Sequence, residues 1–344
     1  MTGRRFSSSR KSEKVSRLIE LASLHPVVSI VGMEKNTGKT VVLNHLIKGL
    51  SGESDVTGIT SVGLEGERYD QVYLTEKPEI TLRRGNLFAT SEKDFRSRRF
   101  PATVLDVREF RSPLGRTVFA RARSDGKVII SGPSIVDYLS QTVRLLREFG
   151  ARRVLVDSST SRLSPGSPAV ADAIILATGA ALSISSGEIV RRTIHQVKII
   201  TLPGVEKEAG DIMEGLGNGV WTVDGPEVKL LAVSSLSMES GLDLSGRTVY
   251  VNGSLTSRAL GKLAAPGVRV VVRDFSRIFV DEESLRSFQR HGGSVNVLHS
   301  ARLLAVTLNP VSPSGYSLRS GQLKETLERF LPVPVFNILE EEDR

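Results

Sequence analysis

Cysteine is absent from the chain. Its absence excludes disulfides, thiolate catalysis and Cys-ligated zinc or iron–sulfur centres. Histidine is scarce: the five residues His25, His45, His195, His291 and His299 are scattered and form no pair at a short metal-ligand spacing. Aromatic residues make up 5% of the chain, and few fall in its basic stretches. Those stretches therefore lack the ring platforms on which single-stranded bases stack, and nucleic acid is not the expected partner. No run of eighteen or more apolar residues occurs, so no membrane-spanning helix and no membrane association are expected. The first residues are basic and serine-rich without an apolar segment behind them. No signal peptide is expected, and the address that follows is cytoplasmic.

What is present is the composition of a folded globular protein: 40% hydrophobic and 24% charged over 344 residues, enough for one large or two ordinary domains. The net charge of +8 is concentrated in two places. The tail from Arg4 to Arg17 sets Arg4, Arg5, Arg10, Lys11, Lys14 and Arg17 against Glu13, and a second basic stretch runs from Arg83 to Arg99. Basic runs can hold nucleic acid or an acidic partner, but here a solvated tail and a solvated loop are the simpler reading.

Apolar periodicity gives the elements. Glu13 to Leu24 reads as a short amphipathic helix closed by His25-Pro26. Val27 to Val31 reads as a buried strand. Thr40 to Leu50 reads as a helix with Val42, Leu43, Leu46, Ile47 and Leu50 on one face. Ile59 to Gly63 is a second strand. The next stretch, about 70–131, looks β-rich: Val72 to Leu74, Thr103 to Val107, Thr117 to Arg123 and Lys127 to Ser131 are strand-like, with a hairpin signal at Ser124-Asp125-Gly126. Ser134 is expected to cap a helix that runs to Phe149 and stops at Gly150. Strands are expected at Val154 to Asp157 and Ala173 to Leu176, then a helix from Gly187 to Gln196 and a strand from Val197 to Leu202. After a glycine-rich segment at 205–245, with a hairpin near Asp224-Gly225, βα units resume to the end of the chain.

This alternation predicts an α/β fold with a doubly wound, mostly parallel sheet and a β-rich insertion. The expected organisation is a basic tail and short helix at 1–24 and a nucleotide-binding region at 25–204. A connecting segment at 205–245 follows, then β/α units at 246–344 that complete the sheet or form a second subdomain.

One segment carries chemistry. Gly32-Met33-Glu34-Lys35-Asn36-Thr37-Gly38-Lys39-Thr40 joins an apolar strand to an amphipathic helix. A tight loop at a helix N-terminus turns backbone N–H groups toward an anion, and a lysine adds charge. Gly38 permits close backbone approach, Lys39 would reach the terminal phosphates, and the Thr40 hydroxyl would ligate Mg²⁺. Gly32, Glu34, Lys35, Asn36, Thr37, Gly38, Lys39, Thr40 and Val41 are the predicted phosphate-binding set. Five residues separate the two glycines, where the usual P-loop has four. An ordinary strand–turn–helix with a chance lysine is the bland alternative.

Asp157 ends the strand Val154-Leu155-Val156 and suits the magnesium-side acid, with Lys39 as its catalytic partner; it could equally cap the Ser-rich turn that follows. Glu65, Glu67 and Asp70 follow the second strand, where they could position water or metal but read more simply as a solvated loop. Ser131-Gly132-Pro133-Ser134 is another strand-to-helix turn that could hold an anion or only cap a helix. His195, beside Arg191 and Arg192, reads as a packed or surface histidine. No Asn-Lys-x-Asp guanine-reading motif occurs, which favours ATP over GTP.

The Gly-x₅-Gly-Lys-Thr spacing resembles dethiobiotin synthetases and related proteins of the signal-recognition/MinD-like branch of P-loop folds. That likeness implies a base contact for Asn309, which follows the strand Leu303 to Leu308, and a homodimer paired across its nucleotide faces. In the MinD-type loop a second lysine precedes the glycine; Lys35 lies near that place but shifted, so that role is not carried over. Three stretches narrow the resemblance: Ile30 to Thr40, Val156-Asp157-Ser158-Ser159 to Ser167-Pro168, and Ile175 to Ala181. Together they look like the P-loop subunit of the lysine 5,6-aminomutase reactivase family. The resemblance implies a chaperone-like ATP hydrolase that uses ATP and Mg²⁺ to reactivate a cobalamin-dependent aminomutase together with a companion reactivase subunit. Two other classes stand beside it: an ATP-dependent ligase or phosphotransferase of the dethiobiotin synthetase kind, and a scaffold that binds nucleotide without turning it over.

Overall fold

The structure, a computed structural model, describes residues 17–52, 55–62, 79–110, 115–158, 163–239 and 241–342. The basic tail up to residue 16, the expected strand Val72 to Leu74 and the carboxylates Glu65, Glu67 and Asp70 lie outside the described residues.

Strands that must bury both faces read as unbroken apolar runs. All six residues of Val27–Gly32 are buried, as are all seven of Ala173–Gly179. These two strands lie side by side in a nine-stranded sheet. Its order is Val335–Asn337, Leu303–Asn309, Ala173–Gly179, Val27–Gly32, Arg153–Asp157, Thr57–Ser61, Leu87–Ser91, Thr117–Ala122, Ala102–Arg108. The pairings from Val335–Asn337 through Leu87–Ser91 are parallel. Thr117–Ala122 runs antiparallel to both of its neighbours.

Side chains alternate across this sheet and meet different partners on each face. Val28, Ile30, Leu155 and Ile175 join the core under the helices Arg17–Ser23 and Lys39–Leu50. On the opposite face Val27, Val154 and Val156 pack against the helix Val136–Glu148. Farther along that face, Val31, Ile174, Leu176 and Val306 pack with the helices Ser186–Ile200 and Ser320–Phe330. The parallel part of the sheet is therefore covered by helices on both sides. The helix Lys39–Leu50 buries Val42, Leu43, Leu46, Ile47 and Leu50. At about 1.5–3 kcal/mol for each such side chain, this stripe is what holds the helix to the sheet.

A second, five-stranded sheet is formed by Glu227–Ala232, Gly219–Asp224, Thr248–Asn252, Arg269–Val272 and Ser294–Val297, in that order. Its first two strands form the hairpin expected at Asp224-Gly225, with Gly225 at a left-handed φ of 61°. The last three run parallel. Its Val249, Val251 and Val270 share one continuous core with Val31 and Leu176 of the large sheet. The chain then returns, and Leu303–Asn309 and Val335–Asn337 complete the large sheet. Among the described residues, no helix is long and apolar enough to cross a membrane.

Three local expectations are corrected. Ser124-Asp125-Gly126 does not close a hairpin: Thr117–Ala122 lies in the large sheet, whereas Gly126–Val128 pairs with Ile80–Leu82. The Asp125 carboxylate accepts from the Arg84 N–H and the Arg83 guanidinium, which draws the chain away from its predecessor. Val197 to Leu202 is not a strand, because the helix from Ser186 continues to Ile200. Ile189, Thr193, Val197 and Ile200 are buried at helical spacing, and this tertiary burial decides a short apolar run that suits either element. Ser134 is not a cap: the helix begins at Val136, Ile135 stands at the N-cap, and no side chain caps it.

Candidate functional site

Parallel strands deliver their C-terminal ends to one edge. There, Ile30 aligns with Asp157, Asp157 with Ser61, Gly32 with Ala177, and Gly179 with Asn309. The loop between Gly32 and Lys39 leaves the sheet at the centre of this edge.

Two residues turn the loop. Asn36 has φ 61°, and Gly38 has φ 89° and ψ 13°. Glycine visits this left-handed region without penalty, and asparagine is among the few others that tolerate it. The turn brings Lys39 back over the loop. Its Nζ donates to the Glu34 carbonyl oxygen at 2.8 Å, and Thr37 Oγ1 donates to the same oxygen at 3.0 Å. Gly32 forms the floor beneath them. A β-carbon there would lie 2.5 Å from Lys39 Nζ and 2.8 Å from Thr37 Oγ1, so only glycine leaves room for this cradle.

Lys39 is 8% exposed and Asp157 is 4% exposed. Burial pulls the Lys39 ammonium below the ordinary lysine range, and the negative charges of Asp157 and Glu34 partly restore it. Lys35 is exposed, and its positive charge acts in the same direction as burial. Asp157 ties neighbouring chain ends together, since its carbonyl accepts from the Val62 N–H at 3.0 Å. Thr40 lies half-buried in the first turn of the helix, and Val41 packs at the margin of the core beneath it.

Asn309 is brought to the loop from another strand. Its Nδ2 donates to the Asn36 carbonyl at 3.1 Å, and its Oδ1 accepts from the Val311 N–H at 3.1 Å. Its β-carbon also faces Gly38, where a β-carbon would approach it to 3.2 Å. The amide to which the resemblance assigned a base contact is here engaged with backbone and braces the loop.

His195 and the Ser131-Gly132 turn contribute no side chain to the loop. His195 is on the helix Ser186–Ile200, where its Nε2 pairs with the Val280 carbonyl oxygen at 2.9 Å, so it ties that helix to the chain just before the helix Glu282–Arg290. Ser131 donates its N–H to Thr90 Oγ1, and Gly132 abuts the Ser61 carbonyl beside Asp157.

Arg192 escaped the sequence reading. Its guanidinium donates to Glu34 Oε1 at 3.0 Å and to the Leu182 carbonyl at 3.2 Å. The contact spans 158 positions, and only its place beside Arg191 on a helix was visible in the sequence.

No protein-family model, curated protein or solved structure matches the chain.

The chemistry of the site therefore rests on its own residues. A glycine-floored loop, a desolvated ammonium and a helix N-terminus all favour an anion. Among the described residues, no group of three or more His, Cys, Asp or Glu could hold a metal by itself. One carboxylate and one hydroxyl are a donor set of the kind Mg²⁺ takes, since it keeps several waters and fills its shell with ligand oxygens.

Proposed function

We propose that the loop Gly32 to Thr40 binds the phosphates of a Mg·ATP molecule and that the protein is a P-loop ATPase. The observation that carries this reading is the buried Lys39, folded over a Gly32 floor with the Asp157 carboxylate in electrostatic reach. A lysine held out of water is costly unless an anion repays it. A polyphosphate would do so, and it would also meet the N–H groups of the loop and of the first helical turn. Thr40 and Asp157 would hold Mg²⁺, whose charge neutralises phosphate oxygens during transfer.

At a finer level, the reading is a reactivating factor for an adenosylcobalamin-dependent aminomutase, working with a companion subunit. ATP can drive such a partner between states only if it binds one conformation of the assembly more tightly than the other. The supporting feature is the resemblance of the segments around Gly32 to Thr40, Val156 to Pro168 and Ile175 to Ala181. A second reading, a ligase or phosphotransferase of the dethiobiotin synthetase kind, draws on the Ser131-Gly132 turn. That turn packs on Ser61 beside Asp157, where a small substrate would sit next to the phosphates.

The test is binding of a fluorescent, non-hydrolysable ATP analogue with Mg²⁺ by wild-type protein and by Lys39→Ala. Loss of a charge-assisted contact predicts weakening of about 10- to 100-fold in a protein that still melts cooperatively. Equal affinity in the folded variant removes the phosphate-site assignment. ATP turnover stimulated by the aminomutase and its companion supports the reactivase; turnover that needs a small carboxylate or amine supports the ligase.

A further inference from the structure

A phosphate loop that carries a glutamate has an electrostatic problem. Glu34 lies between Gly32 and Gly38, and its carboxylate belongs to the same charge cluster as Lys39, Lys35 and Asp157. The formal charges of these four side chains sum to zero, which leaves only the loop N–H groups and the helix N-terminus to attract a polyphosphate. Arg192 adds a third positive side chain, and it is paired with Glu34 itself.

Both ends of Glu34 are held. Its backbone carbonyl takes Lys39 Nζ and Thr37 Oγ1, and its carboxylate takes the Arg192 guanidinium at 3.0 Å. Arg192 is fixed in turn by its bond to the Leu182 carbonyl. The next residue on the helix, Thr193, donates to the Met33 sulfur at 3.6 Å and shares a 2.8 Å hydrogen bond with buried Thr178. Two consecutive helix residues thus hold two consecutive loop residues, Met33 and Glu34, from the side of the helix Ser186–Ile200.

We propose that Arg192 is a positioning residue of the phosphate site: it neutralises Glu34 and holds its carboxylate against the helix Ser186–Ile200, leaving the loop with net positive charge toward a polyphosphate. This inference rests on the phosphate-site reading above and adds the residue that makes that site electrostatically competent. The side chains of Arg192 and Glu34 are 34% and 44% exposed. An ion pair so wetted adds little to folding stability. The role of Arg192 therefore appears in binding, not in the melt.

The experiment measures the affinity of the same Mg²⁺-loaded, non-hydrolysable ATP analogue for the full-length chain at low and high salt. Arg192→Ala is expected to bind about fivefold more weakly at low salt, with the deficit shrinking as added salt screens the exposed Glu34 charge. Glu34→Gln alone is expected to bind more tightly than wild type. The double variant Arg192→Ala/Glu34→Gln is expected to return to within about twofold of wild type, since the charge needing neutralisation is gone. Arg192→Lys keeps the charge without the planar fork and recovers part of the loss. Unchanged affinity in Arg192→Ala, or a double variant as weak as that single variant, overturns this role while leaving the phosphate site intact. Wild-type protein that binds no analogue overturns both.

Discussion

Lys39 lies across Gly32 so closely that a β-carbon on the glycine would sit 2.5 Å from its Nζ and 2.6 Å from its Cδ. A lysine tip is flexible, so Gly32→Ala need not unfold the protein; it must instead push the ammonium off the Glu34 carbonyl and out of the loop. The variant is expected to melt within about 1 kcal/mol of wild type, the ordinary range for a change that flexible groups absorb. Its affinity for the Mg·ATP analogue is expected to fall by about tenfold or more, as one charge-assisted contact is lost. Titration of the analogue against the folded variant checks this, and an undiminished affinity would show that the position of Lys39 over Gly32 is irrelevant to binding.

Gly132 presents the opposite case, because its neighbour is backbone. A β-carbon there would lie 1.9 Å from the Ser61 carbonyl oxygen. Ser61 ends a strand whose register places it beside Asp157, so it cannot retreat without disturbing the sheet edge. Gly132→Ala is expected to cost about 1–3 kcal/mol, the usual penalty for forcing atoms into a filled space. Gly261 supplies the control: it lies in the helix Ser257–Lys262, and nothing stands within 4 Å of a β-carbon there. Gly261→Ala is expected to stabilise by about 0.5–1 kcal/mol. Urea unfolding of both variants separates the cases; equal stabilities would mean that the Gly132–Ser61 contact carries no strain.

What could be read before the structure was local. The strand before Gly32 and the helix after Gly38 were legible because burial writes itself into consecutive or helically spaced residues. The close backbone approach expected at Gly38 rested on its lacking a side chain, but its left-handed φ of 89° was not read from the sequence. Contacts between distant segments were not. Arg192 meets Glu34 across 158 positions, and Asn309 meets Asn36 across 273. Neither pairing leaves a periodicity. The hairpin expected at Ser124-Asp125-Gly126 failed for a related reason: a good turn sequence fixes the turn, while the strand partners are chosen by the sheets on either side. The run Val197 to Leu202 was ambiguous in itself, and only its burial between two sheets made it helical as far as Ile200.

Asp281 offers a pH test away from the loop at Gly32 to Thr40. It stands at the N-cap of the helix Glu282–Arg290 and accepts from the Ser284 N–H at 2.8 Å and from Ser284 Oγ at 2.9 Å. Ser257 Oγ also donates to its carboxylate and accepts from its backbone N–H, which ties this cap to the start of the helix Ser257–Lys262. The Ser257 hydroxyl and the Ser284 N–H favour the ionised form and lower its pKa from 3.8 to about 2. A carboxylate depressed on folding contributes stability that is fully present above its unfolded value and is lost as pH falls through its folded value. The window is therefore about pH 4 down to about pH 2. Asp281 is an exposed N-cap, and Asp281→Ala is expected to cost about 0.5–2 kcal/mol near neutrality. Asp281→Asn keeps a good capping side chain but cannot titrate. Urea unfolding of wild type and Asp281→Asn should show a stability difference that is constant at neutral pH and moves steadily against wild type as the pH drops through that window. A difference that stays flat across it would mean that the cap does not depend on the Asp281 charge.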